Sequence, residues 1–197
     1  MRGKVYEMLK SGMRVSDIRK ELNIGTSDLR STIIILKKLG IPLMRKGDRY
    51  VVNPISNPPV PVRSYHDVLT ASVQATKVLR FLYGEDVNFL WPNKVVKGNE
   101  VIASIEGPPL RVRGSLDEAI AEAIVYRTRH ALRKRRLSEL VRTANILLYK
   151  GNVELVLDSG ALVTKIKNID IEGNANTELG KISFEKVKEV RPKVEDR

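Results

Sequence analysis

Between Ser27 and Arg49 the chain concentrates side-chain types that grip and read a nucleic-acid duplex. If residues 26–39 are helical, Leu29, Ile33 and Leu36 recur on one face and point inward. At about 100° per residue, Ser27, Arg30, Ser31, Ile34 and Lys38 then fall on the opposite face. An arginine fork matches the guanine edge in the major groove, serine is a tolerant partner, and an exposed isoleucine suits a thymine methyl. Arg45, Lys46 and Arg49 follow around Gly47-Asp48, a pair suited to a tight turn, and cations placed there suit phosphate contacts. These residues form the candidate DNA-contacting set.

The elements that must position them are also legible. Ser16 stands where its hydroxyl would cap a short helix that carries Ile18 and Leu22 four apart. Asn23-Ile24-Gly25 supplies a turn, because Asn and Gly tolerate backbone angles that most residues avoid. Gly40 ends the second helix and Pro42 bars its continuation. Residues 43–44 and 50–52 read as strands. Residues 3–11 read as a preceding helix with Val5, Met8 and Leu9 inward. Residues 1–53 therefore predict a winged helix-turn-helix, whose second helix lies in the major groove. A solvated helix and hairpin serving a protein partner is the other reading of the same pattern.

Charge supports the first reading. The chain of 197 residues has a net charge of +12, and residues 1–53 alone hold 12 Lys/Arg against 5 Asp/Glu, or +7. An excess so concentrated favours a polyanion partner. A composition of 42% hydrophobic and 29% charged residues is that of a globular chain, so disorder is not the default. Zero cysteines exclude disulfides, thiolate zinc sites and a cysteine nucleophile. No apolar run approaches the roughly 20 residues that span a bilayer. The opening MRGKVYEMLKSG lacks the apolar stretch of a signal peptide. A cytoplasmic protein without membrane partners is expected.

Beyond residue 53 the pattern changes. Four prolines at positions 54, 58, 59 and 61 predict a domain boundary that acts as a stiff spacer. Residues 67–83 read as a helix with Leu69, Val73, Thr76 and Leu79 on its apolar face, closed by Gly84. Short strands are expected at 87–91, 94–97, 100–106 and 110–112. A single long helix is expected over 116–140, opened by a capping box of Ser115 and Glu118. From Ile146 onwards short strands and turns follow closely, which suggests a small barrel of SH3-like size.

This order of parts resembles the biotin protein ligases that double as biotin operon repressors. The stretch GMRVSDIRKELNIGTSDLRSTIIILKKLGIPL looks like their amino-terminal DNA-binding domain. ASVQATKVLRFLYGEDVNFLWPNKVVKGNEVIASIE looks like their helix leading into a Lys-Trp-Pro-Asn-Asp strand, with Trp91-Pro92-Asn93 the most specific piece. VELVLDSGALVTKIKNIDIEG is similar to their carboxy-terminal barrel, with its Gly-Ile-Asp-x-x-Gly turn written here as Asn168-Ile169-Asp170-Ile171-Glu172-Gly173. The resemblance implies an α+β multidomain protein. Its parts would be a winged helix-turn-helix over 1–53, a reduced α/β core over 62–143 and an SH3-like β-barrel over 144–192.

The departures bear on chemistry. Family ligases hold biotinyl-adenylate with a Gly-Arg-Gly-Arg loop, and the dipeptide Gly-Arg occurs nowhere in this chain. Leu90 stands where the motif has Lys, and Lys94 where it has Asp. Val101 falls where the family's next-strand lysine faces the reacting phosphate, and Ser104 falls on the glycine beyond it. Pro108 to Arg113 replace a Gly-x-Gly-x-Asn stretch. Acyl-adenylate formation builds negative charge on phosphate oxygens, and without pre-placed cations the barrier loses several kcal/mol of stabilisation. Asn93 alone carries over, so the core reads as a catalytically degenerate scaffold or dimer interface.

Other chemistry is excluded on spacing. His66 and His130 do not have the spacing of a metal-binding helix, and Asp67 beside His66 reads as a helix cap. Gly173 and Gly180-Lys181 are too far apart for a phosphate loop, and Ile182 replaces its Ser or Thr. The run Arg127-x-Arg129-His130 with Arg133-Lys134-Arg135-Arg136 is either a second phosphate-binding surface or the solvated end of a helix. Trp91 reads as buried core. The expectation is a DNA-binding transcriptional regulator, not an enzyme, without cofactor or metal, acting on double-stranded DNA as a homodimer. A core that still binds a small effector such as biotin or biotinyl-adenylate is the alternative, with a residual biotin protein ligase behind it.

Overall fold

The computed structural model describes residues 1–53 and 55–194; Pro54 of the proline-rich segment and residues 195–197 lie outside the described residues. Three helices come first: α1 (Arg2–Lys10), α2 (Val15–Leu22) and α3 (Thr26–Lys38). On α1 it is Tyr6, with Val5 and Leu9, that completes the buried stripe; Met8, expected inward, is half-buried. Asn23 takes the left-handed conformation with φ 51° and ends α2, as its side-chain type allows. Ser16 does not cap α2. The hairpin turn supplies the acceptor instead, with Val15 N–H donating to the Asp48 carbonyl at 2.8 Å, so Ser16 sits inside the helix and its hydroxyl meets Asp48 Oδ2 at 3.2 Å. Strands β1 (Leu43–Lys46) and β2 (Arg49–Val52) pair antiparallel around Gly47-Asp48, as the turn residues predict.

Helix α4 (Tyr65–Tyr83) runs through the middle of the molecule. It starts two residues earlier than expected, from Ser64, and Asp67 serves its first turn by accepting the Arg63 amide at 2.8 Å. A four-stranded antiparallel sheet follows, in the order β3 (Val87–Leu90), β4 (Lys94–Lys97), β5 (Glu100–Glu106), β6 (Arg111–Gly114). The single helix expected over 116–140 is two helices, α5 (Glu118–Arg133) and α6 (Leu137–Leu147). The chain breaks between them where Arg135 turns back to pair with Asp67. Residues 146 and 147, expected to open a strand, finish α6. Asp117, not Ser115, caps α5, its Oδ1 accepting from Ile120 N–H at 2.8 Å.

Five antiparallel strands close the chain: β7 (Asn152–Leu157), β8 (Gly160–Ile169), β9 (Ala175–Thr177), β10 (Gly180–Ile182) and β11 (Val187–Pro192). Their order is β10-β9-β8-β7-β11. The whole is a mixed α and β fold. Trp91 is fully buried and its Nε1–H donates to the Gly173 carbonyl at 2.9 Å, which joins the two larger sheets. Among the described residues no helix is long and apolar enough to cross a membrane.

Burial gathers the apolar side chains into two clusters. The first joins Val5, Ile18, Leu29, Leu36 and Ile41 of the amino-terminal elements to Ala71, Ala75, Leu79, Ile105, Ile120 and Ile124. The second joins Leu69, Val73, Phe89 and Trp91 to α6 and the five-stranded sheet through Leu147, Leu155, Ile166 and Val190. The proline-rich segment is not a free spacer. Asn57 binds Glu122 through its amide N–H and its side chain, at 2.8 and 2.7 Å, and Val60 is buried with its carbonyl accepting from Leu110 N–H at 2.9 Å. The prolines remove backbone donors, and Asn57 and Val60 find their partners on α5 and at Leu110 just before β6, so the segment lies down as a strap.

A second tie sits at the start of α5. Tyr6 Oη donates to Asp117 Oδ2 at 2.7 Å, and Lys10 Nζ reaches the same oxygen at 3.0 Å. Burial and the adjacent carboxylate push the Tyr6 phenol well above its ordinary value, so it stays a donor. Burial opposes ionisation of Asp117, but hydrogen bonds from Tyr6, the Ile120 amide and Lys10 outweigh it and hold the carboxyl below its usual range. A depressed carboxyl contributes stability that is complete above the unfolded-state value of about 3.9 and is lost as pH falls through the folded-state value. Asp117→Asn is therefore expected to cost about 1–3 kcal/mol near neutral pH. It should also lose less stability than the wild type on acidification to pH 3, as read by urea unfolding at both values.

Candidate nucleic-acid interface

Helix α3 buries Leu29, Ile33 and Leu36 in the first apolar cluster, against α1 and β1, with Ile33 at 6% exposure. The residues between them then face outward. Ser27, Arg30, Ser31, Ile34 and Lys38 are all exposed, and Ile34 retains 47% of its surface. Periodicity placed this face correctly, because a three-turn helix packed along one stripe leaves the other to water. Gly40 (φ 94°) ends the element as expected. A Cβ there would lie 2.7 Å from Tyr126 Cδ1 of α5, so the close approach of the two helices also requires glycine.

A groove of about 630 Å3 opens between α2, α3 and the β1–β2 hairpin. Arg30, Ile34 and Arg45 of the candidate set line it, together with Arg19 and Lys37. Ser27, Ser31 and Lys38 lie on the exposed face of α3 outside the groove, and Lys46 is exposed at the end of β1. Arg45 Nε donates to the Gly47 carbonyl at 2.9 Å, which holds its guanidinium beside the turn. Arg49 is placed differently: its Nη1 donates to the Gly12 carbonyl at 2.6 Å, so one side of its fork is spent on the α1–α2 turn. Asp48 faces the same groove, with its carboxylate taking the Ser16 hydroxyl.

Arg19 and Lys37 escaped the sequence reading. Each flanks a buried position, Ile18 and Leu36, and an angular count leaves such boundary residues unassigned. Lys37 Nζ stands 5.6 Å over the Tyr50 ring, a cation–π contact that orients it towards the hairpin. Only the folding of the β1–β2 hairpin beside α2 and α3 brings these two cations to one groove.

The basic run of α5 is divided. Arg127 donates to Gln74 Oε1 at 3.1 Å and to the Lys38 carbonyl at 3.4 Å, while Arg129 reaches the Pro58 carbonyl and Arg135 pairs with Asp67. Arg133, Lys134 and Arg136 remain exposed. Half of the run is thus structural and half is solvated. His66 is also structural, its Nε2 lying 2.7 Å from the Ile171 carbonyl.

The corner of the core where the resemblance implies ligase chemistry is a cleft of about 340 Å3 beneath β11. Leu90 is fully buried and Val101 half-buried, so neither position offers a cation. Asn93 Nδ2–H donates to the Ile105 carbonyl at 2.8 Å, which commits the one carried-over side chain to holding β5. Lys94 pairs with Glu189 and donates to the Val190 carbonyl at 2.9 Å. Glu106 pairs with Arg113 at 2.6 Å. Tyr65 donates to the Pro92 carbonyl at 2.7 Å, and burial pushes its phenol well up. Asn93, Lys94, Glu106 and Tyr65 are thus each engaged within the protein. Among the described residues no three His, Cys, Asp or Glu side chains gather closely enough to hold a metal.

The chain matches no protein-family model and no curated protein sequence. Its fold does match solved structures. A crystal structure of biotin protein ligase from Aquifex aeolicus superposes with a TM-score of 0.51 at 13% identity, over 66% of this chain and 75% of that one. A point mutant of the Aquifex aeolicus ligase in complex with biotin gives a TM-score of 0.50 at 12% identity, over 66% and 72%. At such identities the likeness is one of fold, and this chain has a biotin-ligase-like fold.

Two neighbouring substitutions test the assignment of faces on α3. Ile33→Ala, which empties a buried site, should cost about 2–5 kcal/mol. Ile34→Ala should stay within about 0.5 kcal/mol of the wild type. Urea unfolding measures both, and a large loss at Ile34 would mean that the outer face is packed.

Proposed function

We propose that this protein is a cytoplasmic DNA-binding transcriptional regulator. Its first 53 residues would act as a winged helix-turn-helix, with α3 in the major groove and the β1–β2 hairpin as the wing. The single observation that carries this reading is the exposed face of α3 beside a groove lined by Arg19, Arg30, Lys37 and Arg45. On it Arg30 and Ile34 are the base-reading candidates, with Ser27, Ser31 and Lys38 alongside. Arg45 and Lys46 would bind phosphates, and Arg49 would use the part of its fork not bonded to Gly12. The biotin-ligase-like core would be a scaffold or dimer interface without ligase chemistry, and the last five strands an SH3-like barrel. A homodimer follows from the short reach of one recognition helix, since paired half-sites multiply affinity.

Titration of duplex binding against salt tests the reading, after a bound sequence has been selected from random duplexes. Lys46→Ala should flatten the log–log slope by about one and weaken all sequences alike. Arg30→Ala should cost about 1–3 kcal/mol and relax preference at one base pair. Equal slopes and equal preferences in wild type and both variants would remove α3 and the hairpin from the account.

A second reading has one observation in its favour: one of the matched folds is a ligase in complex with biotin. Biotin or biotinyl-adenylate would then be an effector of the core. The internal pairing of Lys94, Glu106 and Asn93 supports the unliganded reading, which expects no change in melting temperature with biotin, with or without ATP. A dose-dependent rise would assign an effector site, and labelling of an acceptor protein would restore a residual ligase.

A further inference from the structure

We propose that the cleft between the strap, the start of α4 and the end of α5 binds a small organic phosphate. The cleft holds about 400 Å3, within the range of small-molecule pockets at roughly 300–1,000 Å3. Four arginines line it, Arg63, Arg129, Arg133 and Arg135, and of its lining residues only Asp67 is acidic. The cleft therefore carries three uncompensated positive charges in a concave site, where field lines concentrate.

Two of the guanidinium groups are already held. Arg135 pairs with Asp67, which is 6% exposed and also accepts the Arg63 amide, and Arg129 is bonded to the Pro58 carbonyl. A fork fixed by the fold loses little freedom when an anion arrives. Arg63 and Arg133 make no side-chain hydrogen bond or ion pair among the described residues, so their donors are open to a ligand. A planar fork on either side suits the oxygens of a phosphate, which it can meet bidentately. Ser64 starts the 19-residue α4 with its hydroxyl not engaged in capping, and first-turn amides add to the favourable field for an anion. Pro61 and Leu132 form an apolar side of the cleft. A bare anion leaves that side wet, whereas a ligand with an apolar body covers it.

This site shares no lining residue with the groove of α3 and stands independently of DNA reading. The probes are phenyl phosphate and inorganic phosphate at constant ionic strength, followed by melting temperature and calorimetry on the full chain. Phenyl phosphate should stabilise the wild type saturably, and inorganic phosphate should need a higher concentration. The double variant Arg63→Ala/Arg133→Ala should raise the half-saturating concentration at least about tenfold with an unchanged circular dichroism spectrum. Arg133→Glu at its exposed position should do the same alone, and Arg142→Ala on α6 should have no effect. Absence of a saturable shift, or equal half-saturation in wild type and double variant, overturns the site. Equal half-saturation by the two phosphates overturns the organic part of the ligand. Weakened duplex binding by the double variant, with no response to either phosphate in the wild type, would assign these arginines to a duplex and overturn the proposal.

Discussion

Burial of α4 on nearly all sides is the constraint from which the rest of the fold follows. Twelve of its 19 residues are buried, so it must satisfy two partners at once. Ala71, Ala75 and Leu79 face the first apolar cluster, while Leu69 and Val73 face the second. Small residues allow close approach, and the hydroxyls among them cause no loss. Thr70, Ser72 and Thr76 donate to carbonyls four residues back at 2.7, 2.8 and 2.8 Å. Among the described residues no buried side-chain polar atom is left without a partner, which is what a helix so enclosed requires.

Because one cluster runs from α1 through α4 to α5, the amino-terminal helices are mounted on the core and not tethered to it. Tyr6 and Lys10 meet Asp117, the strap binds Glu122, and Gly40 lets α3 end against Tyr126. The exposed face of α3 thus has a set orientation relative to the two larger sheets. Were two copies to associate through their cores, the distance between their α3 helices would be set by packing and not by a linker.

The cleft beneath β11 shows how polar side chains can be engaged within a fold. Activation of a carboxylate by adenylation needs cations held ready for phosphate oxygens. Here Leu90 and Val101 are apolar, and Lys94 is bonded across to β11. The polar side chains of that corner now hold β5 to β4 and the five-stranded sheet to the core. An excess of positive charge lies elsewhere, in the cleft where the strap meets α4 and α5.

Residue order by itself determined the amphipathic helices, the tight turns at Asn23 and Gly47-Asp48, three of the four strands of the core sheet with bounds within one residue, and the outward set on α3. Each of these depends on neighbours within a turn or a hairpin, so period and turn chemistry suffice. Only the tertiary structure decided the break between α5 and α6, the caps from the Asp48 carbonyl and Asp117 in place of Ser16 and Ser115, and the strap. It alone brought Arg19 and Lys37 to the groove and divided the arginines of α5 between bonds and solvent. The physical reason is that a charged or polar side chain takes whichever partner the folded chain presents. The partners of Arg135, Asn57 and Tyr6 lie 68, 65 and 111 residues away in sequence.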